Sequence, residues 1–127
     1  MSKPAAKRAA RRPAPVARFR LRVMSGDVIS IGPGKIALLE AIAQTRSITA
    51  AAKTMGMSYR RAWMLVDQMN AALATPAVAS TTGGERGGSS ALTGVGVEVV
   101  ALYRRIEVRA EKAAAADIAR LLTLLAR

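Results

Sequence analysis

The chain has 127 residues, enough for one domain with a single hydrophobic core. Twenty lysines and arginines stand against eight aspartates and glutamates, which gives a formal net charge of +12. A charge of this size predicts a polyanionic partner, either nucleic acid or an anionic membrane surface. Cysteine and histidine are absent, so disulfides, thiolate or imidazole metal sites and the usual general bases are excluded. We therefore expect no cofactor, no metal site and no enzymatic activity.

The sequence predicts neither a membrane span nor a secretory signal. No run of about 18 apolar residues is present, and the N-terminus lacks a continuous apolar segment. We therefore expect a cytoplasmic bacterial protein associated with the nucleoid. An acid-free N-terminus rich in arginine and alanine is also typical of transit peptides, although its prolines disfavour a helix there.

Basic residues are concentrated in two parts of the chain. Lysines and arginines occur without any acid in the first 22 residues, and a second acid-free window lies between Glu40 and Asp67. Residues 1–17 have too little apolar surface to repay the entropy of ordering. We predict a disordered basic arm over 1–17 and a basic face on the folded domain.

The stretch after the arm alternates in the manner of a half-buried strand. In ARFRLRVM, the side chains of Phe19, Leu21 and Val23 would share one face and the intervening arginines the other. A turn at Ser-Gly-Asp and the stretch VISI at 28–31 complete a predicted N-terminal hairpin.

Three helices are predicted after this hairpin. Gly-Pro-Gly at 32–34 begins the first, which runs to about Thr45. Ser47 caps a short second helix, and Gly56 supplies its left-handed C-cap. Ser58 caps a third helix over 59–73. A short helix, a tight turn and a second capped helix are typical of a helix-turn-helix, whose second helix enters the major groove of DNA.

The third predicted helix carries the candidate DNA-reading residues. Ala62, Val66, Met69 and Leu73 recur at helical spacing and define its buried stripe. An arginine pair in the first turn opposes the helix dipole, which indicates that the positive end is kept for phosphate or guanine. The alternative is a solvated arginine face with Trp63 in the core. The candidate DNA-binding residues are Ser47, Thr49, Ser58, Tyr59, Arg60, Arg61 and Arg86.

A second hairpin is predicted behind the third helix. Two short strands, over 77–81 and 89–92, flank a glycine-rich tip that carries Arg86. Such a hairpin is a wing, and its arginine can reach the minor groove or phosphates. GGERGGSS also has the glycine spacing of a phosphate-binding loop, but Ser89 occupies the position of the required lysine.

The last part of the chain is predicted to be one long helix from Thr93 to the C-terminus. Its apolar residues step by three or four throughout. At 1.5 Å per residue the helix would extend about 50 Å, more than a small winged domain covers. The surplus stripe, which includes Ile118, Leu121, Leu122 and Leu125, predicts a two-fold dimer. The alternative is a break near the alanines at 113–116, with the chain folding back.

The combination of motifs resembles a known family. GPGKIALLEAIAQTRSITAAAKTMGMSYRRAWMLVDQMN, a glycine-rich wing and LTGVGVEVVALYRRIE resemble the N-terminal DNA-binding domain of molybdate-responsive ModE-type transcription regulators, a winged-helix group related to the LysR-type domains. The resemblance covers about residues 19–110. It implies a winged helix-turn-helix that dimerises through its terminal helices. It also implies that Ser58, Tyr59, Arg60 and Arg61 begin the recognition helix and that Arg86 lies in the wing.

Two features depart from the family pattern. Arg46 stands where a glycine is expected, so the first turn between helices should differ, and the N-terminal arm is unusually basic. Family members that sense molybdate carry an additional C-terminal oxyanion-binding module of small β-barrels. The chain ends at Arg127, and we therefore expect a DNA-binding domain that stands alone.

These observations predict a mainly α protein with small β-hairpins, a winged helix-turn-helix with a long C-terminal dimerisation helix. The expected organisation is a basic arm over 1–17, a winged domain over 18–92 and a dimerisation helix over 93–127. We expect a regulator that binds double-stranded DNA at an inverted-repeat operator as a homodimer, without a membrane partner and with a link to molybdenum metabolism. The alternatives are a nucleoid-associated architectural protein that binds DNA by charge, or an oxyanion-binding protein.

Overall fold

The computed structural model describes residues 13–81 and 89–126. Within them, five helices and two antiparallel hairpins confirm a mainly α, winged helix-turn-helix fold. Residues 20–107 form one compact unit. In chain order the elements are β1 (Val23–Ser25), β2 (Val28–Ile31), α1 (Pro33–Thr45), α2 (Ile48–Thr54), α3 (Tyr59–Ala72), β3 (Val78–Thr81), β4 (Ser89–Leu92), α4 (Gly94–Ala113) and α5 (Ala115–Thr123).

The N-terminal hairpin is present but shorter than the alternation predicts. Strand β1 begins only at Val23, which pairs with Ile31, the last residue of β2. The chain after Ile31 turns into α1 through Gly-Pro-Gly, so the residues before Val23 have no strand to pair with. Instead, the carbonyl of Leu21 accepts a hydrogen bond of 2.8 Å from the Tyr103 hydroxyl. The strand predicted over residues 17–24 was therefore wrong over 17–22.

The helix-turn-helix has the caps that the sequence predicts. Ser47 Oγ accepts a hydrogen bond of 3.0 Å from the Ala50 amide, and Ser58 Oγ accepts one of the same length from the Arg61 amide. Gly56 adopts a left-handed conformation with φ of +67°, as a C-cap requires. Its amide and that of Met57 then bond back to the last turn of α2, which fixes the direction of the turn into α3.

Small residues bring the three helices close together. Helix α1 contributes the largest buried side chains, and the stripe of Ala62, Val66 and Met69 on α3 is buried as predicted. Leu73 is partly buried at the end of that stripe. Ala51 and Ala52 of α2 are also buried and allow its backbone to approach α1 and α3. The core is thus built around α1, with α2, α3 and β4 packed against it.

The turn between α1 and α2 keeps a glycine-like conformation although it carries arginine. Arg46 has φ of +58° and ψ of 28°, in the left-handed region that L-residues adopt at a cost. The Arg46 carbonyl accepts a hydrogen bond of 3.0 Å from the Ser90 amide. The chain thus tolerates a strained residue at Arg46, and the expected difference from the turn of the family stays a prediction.

The wing is joined to the helices by polar contacts. Strands β3 and β4 pair with Val78 opposite Leu92, as predicted. Asn70 of α3 accepts hydrogen bonds from the Ala77 and Val78 amides at 2.9 and 3.2 Å, and its side-chain amide donates to the Val78 carbonyl at 3.2 Å. Thr93 bridges β4 and α4, because its hydroxyl accepts from the Gly96 amide and donates to the Pro76 carbonyl.

The C-terminal segment is two helices rather than one. Helix α4 ends at Ala113, Ala114 has φ of −100° and ψ of 6°, and α5 begins at Ala115. The charges at this junction suit two separate helices, because Lys112 lies in the last turn of α4 and Asp117 in the first turn of α5. The single helix predicted over 93–127 was wrong at this point, and the interruption lies where the alternative placed it.

Two predicted features fall on residues that the structure does not describe. The basic arm lies mostly within 1–12, and the wing tip with Arg86 lies within 82–88. Residues 13–17, the described part of the arm, are exposed and have no regular secondary structure. Among the elements that the structure describes, no helix is long and apolar enough to cross a membrane.

Candidate nucleic-acid interface

Helix α3 presents an exposed polar face opposite its buried stripe. The first turn carries no acidic residue, and Ser58 caps it. Tyr59 is 55% exposed and packs edge-on against the Trp63 ring, with the ring centroids 6.1 Å apart and the planes at 72°. The exposed residues on this helix include Arg60, Arg61, Met64, Asp67 and Gln68, as expected from its periodicity. Helix α3 therefore offers donors, an aromatic ring and an apolar side chain to a ligand.

The two neighbouring arginines of α3 line different surfaces. Arg60 lines a shallow depression together with Tyr59, Trp63 and Asp67. Arg61 lines a different cleft, between α3 and the N-terminal hairpin. The sequence predicts that both arginines reach base edges, and this stays a prediction.

The remaining predicted site residues lie at the start of α2. Ser47 is half-buried, and its hydroxyl serves as the N-cap of α2. Thr49 lies in the first turn of α2 and is exposed. The structure thus brings Ser58, Tyr59 and the arginine pair together at the start of α3, and places Ser47 and Thr49 on the preceding helix. Arg86 lies outside the described residues.

The cleft beside Arg61 was not predicted from the sequence. It has a volume of about 510 Å³ and lies between the β1–β2 hairpin, the start of α1 and α3. We call it the hairpin cleft. Its lining includes Arg20, Arg22, Asp27, Gly34, Lys35 and Arg61. Basic side chains outnumber the one carboxylate, so the hairpin cleft favours an anion.

Lys35 is the most unusual charged residue of this cleft. Its side chain is 6% exposed, and the ammonium donates a hydrogen bond to the Ile29 carbonyl. Burial lowers the pKa of Lys35 below its ordinary value because the charged form loses hydration. The only sequence signal was a lysine in the first turn of a helix, where the helix dipole disfavours a cation.

An ion-pair network joins α4 to α1. Arg104 of α4 forms a two-pronged ion pair with Glu40 of α1, at 2.9 and 2.6 Å, and also contacts Glu107 at 2.7 Å. The hydrogen bond from Arg104 lowers the pKa of Glu40, and it ties α4 to α1.

Within residues 13–81 and 89–126, no three acidic side chains cluster closely enough to hold a metal ion.

The chain is similar to bacterial regulatory proteins. A model of the lysR family of bacterial regulatory helix-turn-helix proteins matches residues 34–96. Molybdenum-pterin-binding protein MopB of Rhodobacter capsulatus is 44% identical over 82 residues, which are 65% of this chain and 30% of that protein. Molybdenum transport protein ModE of Azotobacter vinelandii is 39% identical over 98 residues, 77% of this chain and 36% of that protein.

A third relative carries a more explicit name. The DNA-binding transcriptional dual regulator ModE of Escherichia coli strain K12 is 39% identical over 71 residues, which are 56% of this chain and 27% of that protein. The chain spans about a third of the length of the curated relatives it matches. The matched family segment runs from the first turn of α1, through the helix-turn-helix and the wing strands, into α4.

Proposed function

Residues 34–96 match the lysR family of bacterial regulatory helix-turn-helix proteins, and from this premise we propose that the chain reads a specific DNA sequence as a ModE-type transcription regulator. The observation that carries the proposal is the first turn of α3. It is capped by Ser58, holds no acid, and exposes Tyr59 and Arg60. A helix of this kind in a helix-turn-helix places its first turn against base edges in the major groove.

Arg60 is the residue that we propose to read a base. An arginine donates two hydrogen bonds to the O6 and N7 atoms of guanine, a pattern unique to that base in the major groove. The neighbouring Tyr59 and Met64 are exposed and supply apolar contact to a thymine methyl group. Asp67, about one turn beyond Met64 on α3, can accept a hydrogen bond from a cytosine amino group.

Contacts to the DNA backbone would fix the position of α3. We assign this role to Ser47 and Thr49 at the start of α2 and to Arg86 of the wing, because hydroxyls, helix N-termini and arginines bind phosphate oxygens. The basic arm at 1–17 would add attraction that is independent of sequence. Such a protein would reside on the bacterial nucleoid.

The C-terminal helices supply the argument for a homodimer. Leu102 and Ile106 of α4 are 42% and 47% exposed, and Leu121 of α5 is 59% exposed. Large apolar side chains repeated along an exposed helix mark a surface for a partner. A second copy of the same chain supplies a matching stripe and produces two-fold symmetry. Two recognition helices related in this way would bind an inverted repeat.

The names of the relatives suggest which genes are regulated. Relatives carry the names molybdenum transport protein and molybdenum-pterin-binding protein. We extend the proposal to genes of molybdenum metabolism on this ground alone. Transcript levels in the native host, with and without the gene for this chain, would test the extension, and unchanged molybdenum-related transcripts would contradict it.

A second candidate function is architectural DNA binding. The net charge of +12 favours it, because phosphate neutralisation alone can supply most of the affinity. The two functions differ in their salt dependence. An architectural protein loses affinity for every sequence alike as salt rises, whereas a regulator keeps a large preference for its operator.

The proposal is tested by replacing Arg60. Arg60→Ala should cost about 1–3 kcal/mol of binding free energy on a selected site and little on random duplex DNA. Arg105→Ala, which removes an exposed arginine of α4, is the matched control and should change neither affinity. Fluorescence anisotropy with labelled duplexes measures both affinities. An equal loss on both DNAs from Arg60→Ala would contradict base reading.

A further inference from the structure

The hairpin cleft carries a feature that DNA reading by Arg60 does not explain. Lys35 is almost fully buried in the first turn of α1, where both desolvation and the helix dipole act against its charge. One carbonyl, that of Ile29, accepts a hydrogen bond from it. In residues 13–81 and 89–126, no carboxylate lies within salt-bridge distance of the Lys35 ammonium. An ammonium has three donors, so an additional acceptor would satisfy it.

The surroundings of Lys35 suit an anion. Arg20 and Arg22 precede the hairpin, and Arg61 faces it from α3, so the cleft holds several cations against the single carboxylate of Asp27. The N-cap of α1 is Gly32, and no side chain caps this helix. The amides of Gly34 and Lys35, which lie in the first turn, can therefore donate to a ligand in the cleft.

We propose that the hairpin cleft binds a phosphate group, held by Lys35, Arg22 and Arg61. The proposal rests on the proposed function in one respect, since Arg61 belongs to the helix that would enter the major groove. Arg61 would then contact a phosphate instead of a base. The cleft would hold one DNA strand on the side of α3 that faces the β1–β2 hairpin. The wing is proposed to contact the DNA backbone elsewhere.

Two sources can supply this phosphate. It can belong to the DNA backbone beside α3, or it can be free inorganic phosphate, whose binding would occupy Arg61 and so compete with DNA. The volume of about 510 Å³ lies within the range of small-molecule sites and also admits a backbone phosphate with its sugar. The chemistry of recognition is the same in both cases.

The test uses the full chain and two variants of the cleft, Lys35→Met and Arg22→Gln. Arg105→Gln, on α4 and away from the cleft, is the control with the same change in charge. The first measurement is the melting temperature in sodium phosphate against sodium chloride at equal ionic strength. The second is the affinity for duplex DNA over a range of salt concentrations.

Free phosphate as the ligand predicts that inorganic phosphate raises the melting temperature of the wild type and of Arg105→Gln. The gain should disappear in both cleft variants. Lys35→Met should also melt higher than the wild type in chloride, because it removes a desolvated cation. A Lys35 with a purely structural role would instead make this variant melt lower, and that result would count against the proposal.

A DNA phosphate as the ligand predicts a different outcome. Inorganic phosphate would then have no effect, but each cleft variant would bind every DNA sequence about tenfold more weakly. The slope of affinity against salt would fall by about one per variant. Arg105→Gln would retain the affinity and slope of the wild type.

The proposal is overturned if the cleft variants behave like Arg105→Gln in both measurements. This failure is distinct from a failure of the proposed function. If Arg60→Ala loses its site preference while the cleft variants are unchanged, the phosphate site is ruled out and DNA reading by α3 stands. A wild type that prefers no DNA sequence would remove DNA reading, while the phosphate measurement would still decide on the cleft.

Discussion

Gly96 lies where α4 closely approaches the backbone just before strand β3. A Cβ atom at this position would lie 2.2 Å from the Ala77 carbonyl oxygen and 3.1 Å from its carbon. Both neighbours are backbone atoms, so they cannot turn aside as a flexible side chain would. The LTGVG stretch at 92–96 thus has a physical reason, because Thr93 caps α4 and Gly96 allows the close approach.

Replacing Gly96 should therefore destabilise the fold. Gly96→Ala is expected to cost about 1–3 kcal/mol in the free energy of unfolding, through overlap with the Ala77 backbone. Gly94→Ala is the matched control. Gly94 lies in the same turn of α4, and a Cβ added there has no atom within 4 Å. The control should be neutral or stabilising by up to about 1 kcal/mol. Urea denaturation measures both, and equal stabilities for the two variants would contradict the packing argument.

Lys35 shows what local sequence does and does not predict about a residue. The motif GPGK correctly predicted where α1 begins, because proline and glycine impose local backbone preferences. It did not predict that the lysine would be buried, since burial depends on the hairpin folding over it. Arg60 and Arg61 are a second example of what local sequence does not predict. These adjacent residues line different surfaces because the elements packed beside α3 differ on the two sides.

At the scale of elements, the sequence predicted what local signals determine. The caps Ser47, Ser58 and Gly56 define the helix-turn-helix, and the structure confirms each of them. The predicted length of strand β1 was too great, because the strand can extend only as far as its partner β2. The bond from Tyr103 to the Leu21 carbonyl joins residues 82 positions apart, and no local pattern indicates it.

Asn70 of α3 holds the wing through hydrogen bonds. The helical periodicity of the sequence had assigned this residue no role. Its side chain bonds to the backbone of Ala77 and Val78 in the way that a neighbouring strand would. The same residue thereby connects the proposed reading helix to strand β3. The orientation of the wing relative to α3 follows from this connection.

Removing the Asn70 side chain should loosen the wing. Asn70→Ala is expected to cost about 1–3 kcal/mol in the free energy of unfolding, because the partly buried Ala77 and Val78 amides lose their acceptor. Hydrogen exchange at these two amides should accelerate more than the global stability loss explains. Gln68→Ala, an exposed position on the same helix, is the control and should change stability by less than about 0.5 kcal/mol. Unchanged exchange at Val78 would contradict the assigned role.

At the scale of the whole molecule, the proposed dimer rests on the exposed apolar side chains of the C-terminal helices. Leu121→Glu combined with Leu125→Glu should shift the mass measured by light scattering from dimer to monomer. Charged side chains cannot be buried unpaired between the two chains without a large penalty. Operator binding should weaken in parallel, because each half-site alone holds too little energy.

A matched control separates the dimer surface from the added charge. Ala116→Glu combined with Thr123→Glu places two glutamates at exposed positions on the opposite face of α5. This control should remain a dimer with the operator affinity of the wild type. A wild-type chain that is monomeric at micromolar concentration would contradict the dimer directly.

The central claim is that α3 reads DNA sequence, and selection of binding sites from a random DNA pool tests it most directly. Purified wild type should enrich an inverted repeat whose half-site centres lie about 10 base pairs, or a multiple of that, apart. Arg60→Ala should lose the preference at one symmetric pair of positions and keep the rest of the repeat. Selection of no common sequence by the wild type, or of an identical repeat by Arg60→Ala, would contradict the account.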